Sequence, residues 1–329
     1  MASGSAEIPV DEGYEDDGSS IFEDSSRMSM VSSFKHYRLE NNRKYHTYRD
    51  GAYWMPHDDE ALRLDLIAHH LFLLTFNDKL MLAPLQNPKR VIDIGTGIGV
   101  WASDFADLYP EAEVIGTDLS PTQRVPQPPN LKWETDDACS EWVYPPDYFD
   151  YVHVRLLYAS IADWSAFYKE CYDHLAPGGY LEHAEISPVL KSDDGSIDMD
   201  EAYHHQGRLA IEASERFGKQ INIQPHLKDM ILQAGFEDVK EFTYKWPIGE
   251  WPQDPRLKDI GGWNARHWME GLETWTLRLL TQYMGWSLEE VKTWTAKMRT
   301  SILNRKFHAY QPLTVVYARK PLNPRRTTN

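Results

Sequence analysis

Apolar residues recur along this chain in two alternating periods, one typical of β-strands and the other of α-helices. The strand-like runs and the helical runs between them cover residues 89–94, 99–108, 112–117, 130–134, 149–154, 163–175 and 179–186. Strands that alternate with helices in this way predict a parallel sheet with helices on both faces. The fold class is therefore α/β.

Apolar residues at helical spacing also occur before and after this region. A helix is predicted from Asp58 or Asp59 to about Leu82, with apolar residues on one face. Beyond the sheet pattern the predicted elements are helices 198–217 and 225–234, a strand 238–244, a proline-rich structured loop 246–262, helices 263–284 and 287–308, and a strand 313–319. The last two strands are separated by far more residues than a hairpin needs, so the block between them is expected to pack as a helical subdomain.

These patterns divide the chain into segments. The predicted boundaries are an acidic disordered tail 1–36, an N-terminal lid and helix 37–82, a ligand-binding core 83–245, a helical cap 246–310, a final core strand 311–321 and a tail 322–329. The first segment carries eight acids against Arg27 and Lys35, a composition that buries too little apolar surface to offset its ordering entropy. A phosphorylated or partner-binding tail is the alternative.

The composition of the chain argues against several classes of function. The 329 residues carry a net charge of −16, which argues against a surface that binds nucleic acid. Cys139 and Cys171 have neither metal nor disulfide spacing, which indicates a reducing compartment. The sequence has no apolar run of membrane-spanning length and no secretory signal, so we expect a soluble, cytoplasmic protein without a membrane partner.

Residues 91–99 read Val-Ile-Asp-Ile-Gly-Thr-Gly-Ile-Gly, a β-branched run that ends in a turn with glycine at every second position. A strand that ends in such a turn and opens a helix lets the backbone approach a nucleotide-like ligand, and some of these glycines are expected at positive φ. Val100 stands where a dinucleotide fingerprint has its last glycine. With Asp93 before the turn, this spacing favours S-adenosylmethionine over NAD.

Acids end the next two strands. Asp118 follows the glycine turn by about 20 residues, where a carboxylate can accept from both ribose hydroxyls; a cap on the next turn is the alternative. Asp136 and Asp137 end the third strand, where a carboxylate can accept from an adenine amino group, or they form an ordinary acidic loop. Arg155 ends the fourth strand and either lines the cleft or makes a structural ion pair. The candidate cofactor-binding residues are Asp93, Gly95, Thr96, Gly97, Gly99, Asp118, Leu119, Asp136, Asp137, Ala138 and Arg155.

The order of these motifs, with the turn Pro177-Gly178-Gly179 behind them, resembles class I S-adenosylmethionine-dependent methyltransferases. Further segments are similar to the fungal LaeA-like subgroup: residues 40–46, 118–121, 247–252, 308–310 and 317–321. The resemblance covers about residues 38–321. It implies a Rossmann-like sheet of seven mostly parallel strands whose last strand is antiparallel, with the cofactor lying across Gly95–Gly99. It also implies a small-molecule substrate or, for the regulators in the family, nuclear protein complexes.

Methyl transfer from an activated sulfonium needs alignment and exclusion of water more than it needs proton transfer. Aromatic side chains that could line the acceptor space are Tyr45, Tyr48, Trp251, Trp263 and Trp268. If the acceptor needs a base, His183, Glu185 and His204 qualify by position. The neighbours His204 and His205 point apart on a helix, so no metal site is predicted.

Three functions follow from the sequence. The first is O- or N-methylation of a small secondary metabolite. The second is a LaeA-like regulator that keeps the cofactor fold and acts through protein partners, for which a nuclear location is the expectation. The third is a nicotinamide-dependent oxidoreductase on a related architecture.

Overall fold

The computed structural model describes residues 6–14, 37–46, 53–120 and 122–323. The chain forms two compact units, each built from three segments. The helical unit comprises Met1–Thr75, Pro188–Ile221 and Tyr244–Pro312, and the sheet unit comprises Phe76–Ser187, Asn222–Thr243 and Leu313–Asn329.

Strands and helices are numbered in chain order. The strands are β1 (Tyr37–Glu40), β2 (Arg43–His46), β3 (Arg90–Ile94), β4 (Glu113–Asp118), β5 (Leu131–Thr135), β6 (Phe149–Arg155), β7 (Leu175–Ile186), β8 (Glu237–Pro247) and β9 (Tyr310–Arg319). The helices are α1 (Asp59–Phe76), α2 (Val100–Leu108), α3 (Trp164–His174), α4 (Glu201–Phe217), α5 (Leu227–Gln233), α6 (Pro255–Arg278) and α7 (Leu288–Leu303). A 3₁₀ turn, Gln224–His226, precedes α5, and a π-helical turn, Leu279–Tyr283, follows α6.

Seven strands form one sheet in the order β5-β4-β3-β6-β7-β9-β8. The five strands from β5 to β7 pair in parallel, and β9 pairs antiparallel with β7. The predicted seven-stranded, mostly parallel sheet with an antiparallel last strand is therefore confirmed. The last strand in the chain lies inside the sheet, between β7 and β8.

Apolar side chains cover both faces of this sheet, as predicted for parallel strands. On one face Ile92 and Val152 pack with α3 and α5 in one buried cluster. On the other face Val91 and Val114 pack with Trp101 and Phe105 of α2. Because the helices on the two faces hold β3 and β6 rigidly, the loops at the carboxyl ends of these strands start from fixed positions.

Several helix boundaries differ from the sequence prediction. α1 ends at Phe76 instead of Leu82, because Asn77 and Asp78 adopt positive φ of 56° and 59°. α6 begins at Pro255, inside the predicted loop 246–262. The Asp254 side chain accepts from the first backbone N–H groups of α6, and proline at the first helical position is compatible with a helix start. α7 ends at Leu303, five residues before the predicted end.

The beginning of the chain also differs from the expected solvated tail. In residues 6–14, Ile8 is buried against Trp251 and Tyr310, and its N–H donates to Asp193 Oδ2 over 3.0 Å. Asp11 pairs with Lys258. Apolar packing of Ile8, its backbone hydrogen bond and the ion pair of Asp11 together hold this short stretch in the helical unit. Among the described residues, no helix is long and apolar enough to cross a membrane.

Candidate active site

The turn after β3 has the left-handed backbone that its glycines predict. Gly95, Gly97 and Gly99 adopt φ of 69°, 56° and 87°. A Cβ atom at Gly95 would overlap the Leu157 side chain, and one at Gly99 would overlap the Trp133 indole. Only glycine fits these positions without strain, so the backbone path of the turn is set by its sequence and by the side chains that pack beneath it.

Hydrogen bonds from neighbouring strands and loops fix the centre of this turn. The Thr96 N–H donates to Thr117 O over 2.8 Å, and the Gly97 N–H donates to Asp118 Oδ2 over 2.9 Å. The Gly97 carbonyl accepts from the Thr122 hydroxyl over 2.7 Å. The turn is therefore held in place by hydrogen bonds from its own unit.

Asp93 lies beneath the turn and is 3% exposed. Its Oδ2 accepts from the Thr96 hydroxyl over 2.6 Å, and its Oδ1 accepts from the His153 ring over 2.7 Å. The carboxyl group therefore bonds to the strand beside it and to the turn above it. This burial differs from the direct ligand contact expected of Asp93 at the sequence level.

Asp118 lies at the end of β4, half-buried beside the turn. Besides Gly97, its carboxyl accepts from the Ser120 N–H over 3.2 Å, and the Leu119 side chain next to it is half-buried. Burial raises the pKa of Asp118 to about 6, although the bonds from Gly97 and Ser120 oppose the shift. Each oxygen uses one lone pair in these bonds, so both can still accept from ribose hydroxyls.

The segment after β5 joins the same edge of the sheet. The Asp136 N–H donates to Asp118 O over 3.0 Å, so the two predicted acidic positions are adjacent. Asp137 is 8% exposed, and its Oδ1 accepts from the Cys139 N–H. Ala138 is only partly buried, packed against the apolar cluster of β6 and α3. Together with the glycine turn, these donors and acceptors fit a nucleoside-bearing cofactor.

The loop after β6 closes on the glycine turn from the other side. Arg155 is half-buried at its start, and Leu156 and Ala159 adopt φ of 53° without being glycine. Strained residues of this kind persist only where their surroundings hold them, and they concentrate at functional sites. The Leu157 side chain in this loop lies directly against Gly95.

Two of the three predicted bases are buried in a network that supports this loop. The Tyr168 hydroxyl donates to His183 Nδ1 over 2.7 Å, and His183 Nε2–H donates to Glu185 Oε1 over 3.2 Å. The same oxygen accepts from the Leu157 N–H over 2.5 Å. Burial lowers the pKa of His183 to about 3 and raises that of Glu185 well above its usual range. His183 is therefore neutral and fully enclosed, which argues against proton abstraction by this group.

The third predicted base, His204, belongs to α4 in the helical unit and is exposed. It lines a cavity of about 340 Å³ whose floor is apolar. The cavity is bordered by Val189, Leu190, Ile197, Asp198, Tyr203, Gly207, Arg208 and Ile211. The structure thus places His204 in a different unit from His183 and Glu185.

The predicted aromatic lining also belongs to the helical unit, where most of it forms the interior. Tyr45 and Trp251 are 1% exposed and Trp268 is 3% exposed. The Trp251 and Trp268 indoles donate to Ala309 O and Gln311 Oε1. Trp263 is half-buried against His70, whereas Tyr48 lies outside the described residues. Their aromatic character predicts a substrate lining, but aromatic residues fill a core equally well.

Sequence reasoning missed three residues at the site: His153, Leu157 and Thr122. Leu157 and Thr122 each follow a recognised motif by two or more residues, so a search of the loops after β4 and β6 could have found them. His153 meets Asp93 only through the pairing of β3 with β6. The sequence carries no local signal for that register.

Comparisons with known proteins agree with this geometry. Residues 67–241 match the family described as "Methyltransferase domain". "Methyltransferase pytC" of Aspergillus terreus is 38% identical over 308 residues, which cover 93% of this chain and 94% of the relative. "Probable methyltransferase tdiE" of Emericella nidulans is 34% identical, and the match covers 81% of this chain and 84% of the relative. "Secondary metabolism regulator LAE1" of Cochliobolus heterostrophus is 35% identical, and the match covers 86% of this chain and 94% of the relative.

Proposed function

The chain belongs to the methyltransferase domain family, and from this premise we propose that it methylates an oxygen or nitrogen atom of a small secondary metabolite. S-adenosylmethionine is the methyl donor of the family. The observation that carries the proposal is the left-handed glycine turn bonded to the half-buried Asp118. Relatives named as methyltransferases support an enzymatic role, and relatives named as regulators of secondary metabolism connect the family with that metabolism. The family match leaves no support for the oxidoreductase alternative.

The same residues suggest how the cofactor is held. We propose that it lies across Gly95–Gly99, that Asp118 accepts from its ribose hydroxyls, and that Asp136–Ala138 borders its adenine. When bound, S-adenosylmethionine supplies an electrophilic methyl group on a positively charged sulfur. The protein has to hold an acceptor in line with that methyl group and exclude water, which the fixed turn and the loop after β6 are suited to do.

Proton transfer is a smaller part of this proposal. We propose that Glu185 and His183 are positioning residues, because their hydrogen bonds hold Leu157 against Gly95. His204 is the one of the three predicted bases that is exposed, and its role as a base stays a prediction. An acceptor that is already nucleophilic would need no base at all.

Calorimetric titration with S-adenosylhomocysteine tests the cofactor assignment. We expect binding to the wild-type chain at one site, and a loss of about 100-fold in affinity for Asp118→Ala, since two hydrogen bonds to a charged group are removed. Asp107→Ala is the matched control, because it removes an equal charge from an exposed position in α2. Binding of NADH without binding of S-adenosylhomocysteine would reject the proposal.

A regulatory role through protein partners is the second candidate function, because relatives named as regulators of secondary metabolism match most of this chain. A mass-spectrometric screen of the purified chain with the cofactor and small phenols and amines separates the two candidates. A product one methyl group heavier, formed by the chain alone, supports the enzyme. Methylation that requires an added protein partner supports the regulator.

A further inference from the structure

His153 forms a buried pair with Asp93 beneath the glycine turn. The two residues are direct neighbours across β6 and β3, and each is 3% exposed. The His153 Nδ1–H donates to Asp93 Oδ1 over 2.7 Å, because a carboxylate has no proton to give. The other Asp93 oxygen accepts from the Thr96 hydroxyl over 2.6 Å. A continuous path of two short hydrogen bonds therefore joins β6 to the turn.

The His153 ring is held in a single orientation. Trp101, in the first turn of α2, stacks on it with 3.6 Å between ring centroids and 3° between ring planes. The indole is itself fixed, since its N–H donates to Leu80 O over 2.8 Å. Packing on one side and a hydrogen bond at the edge leave the imidazole little freedom to turn.

We infer that His153 is a positioning residue for cofactor binding: through Asp93 it holds Thr96, and with it the glycine turn, in the conformation that receives the cofactor. This role rests on the proposed function. A hydrogen bond to a buried carboxylate is worth more than one between neutral groups, and its loss leaves an unpaired charge below the turn. Asp93 would then turn toward another donor, and Thr96 would lose its acceptor.

Two substitutions separate this role from simple packing. His153→Asn keeps an N–H donor at about the reach of Nδ1 and loses the stacked ring, whereas His153→Phe keeps a ring against Trp101 and loses the donor. We expect His153→Phe to weaken S-adenosylhomocysteine binding by about 10-fold and His153→Asn by about three-fold or less. A packing role predicts the opposite order, because the asparagine leaves the larger cavity.

Amide hydrogen exchange at Thr96 and Gly97 gives a second readout in the cofactor-free protein. We expect faster exchange in His153→Phe than in the wild type. The control is Asn130→Ala, which removes three hydrogen bonds to the carbonyls of Ala106, Tyr109 and Ala112 at the other end of α2. It should lower the melting temperature without changing either readout.

The outcomes are distinguishable. Unchanged affinity and unchanged exchange in His153→Phe would overturn the inference, as would an affinity loss that follows the melting temperature across all three variants. If the wild-type chain does not bind S-adenosylhomocysteine, the proposed function fails. The exchange rates at Thr96 and Gly97 would still decide whether His153 holds the turn.

Discussion

At the scale of single residues, the proposed hydrogen bonds from two ribose hydroxyls to Asp118 are strongest when its carboxyl group is ionised. Burial raises its pKa to about 6, so a fraction of the cofactor-free protein carries a proton there in mildly acidic solution. We expect the affinity for S-adenosylhomocysteine to fall as the pH drops below about 6. Calorimetry from pH 5 to pH 8 measures this. A flat profile in the wild type, equal to that of Asp118→Ala, would contradict it.

Glu182 gives a second prediction, for stability. Its Oε2 accepts from the Leu82 and Ala83 N–H groups, but burial raises its pKa from 4.5 to about 7. The folded state therefore retains a proton that the unfolded chain releases above pH 4.5, and stability falls as the pH rises from about 4.5 to about 7.

Glu182→Gln keeps an oxygen for both N–H groups and removes this dependence. The melting temperature of the variant, measured relative to the wild type, should rise between pH 5 and pH 8, by the equivalent of about 2 kcal/mol. Glu111→Gln, at an exposed position, is the control and should show no such trend. Parallel pH profiles for Glu182→Gln and the wild type would reject the effect.

Single residues also show why part of the site was readable from the sequence. The glycines at 95, 97 and 99 and the acid Asp118 act through their own backbone or strand end, so local spacing reveals them. His153 meets Asp93 across 60 residues of chain, and Glu185 meets Leu157 across 28. Such contacts depend on strand register and burial, which a single sequence does not specify.

At the scale of elements, Gly99 precedes α2 and Gly218 follows α4, and the two glycines have almost the same backbone dihedral angles. Gly99 has φ 87° and ψ 8°, and Gly218 has φ 85° and ψ 15°. A Cβ at Gly99 would overlap Trp133, whereas nothing lies within 4 Å of one at Gly218. The pair therefore separates backbone strain from steric overlap.

Alanine at either glycine should cost about 1–2 kcal/mol of folding free energy from the left-handed backbone alone. Gly99→Ala should cost a further 1–3 kcal/mol or so, because the Trp133 indole has to move. Melting temperatures of the two variants measure the difference. Equal losses would mean that Trp133 adjusts freely and that the turn tolerates a side chain.

Elements were predicted where periodicity is long and uninterrupted. The strands β3 to β7 and the helices α2 and α3 fall within a few residues of their predicted positions. Proline accounts for one of the differences: the sequence pattern predicts a loop at Pro255, yet this residue occupies the first turn of α6 after the cap Asp254. Proline interrupts a helix but also starts one, and the cap residue before it decides which.

At the scale of the whole molecule, the helical unit consists of three separate segments of the chain. The sequence pattern within one segment does not predict which other segments pack with it. α4 lies in this unit, although the sequence prediction had included it in the ligand-binding core 83–245. The first segment also includes the stretch at residues 6–14, where Ile8 is 8% exposed. Its contacts give the fourth prediction.

Ile8→Ala should lower the stability of the chain by about 2 kcal/mol, because it exposes apolar surface of Trp251 and Tyr310. Glu7→Ala, at the exposed neighbouring position, should have no measurable effect. Thermal unfolding followed by tryptophan fluorescence checks both variants. A solvated tail, as composition alone suggests, would make the two indistinguishable.

The position of β9 has a consequence for synthesis of the chain. This strand, Tyr310–Arg319, follows β8 in the chain, yet it lies between β7 and β8 in the finished sheet. Until the ribosome has produced and released β9, β7 presents an open edge of unpaired N–H and C=O groups, which is a template for pairing between nascent chains. A truncation that removes Tyr310–Arg319 would make that transient state permanent.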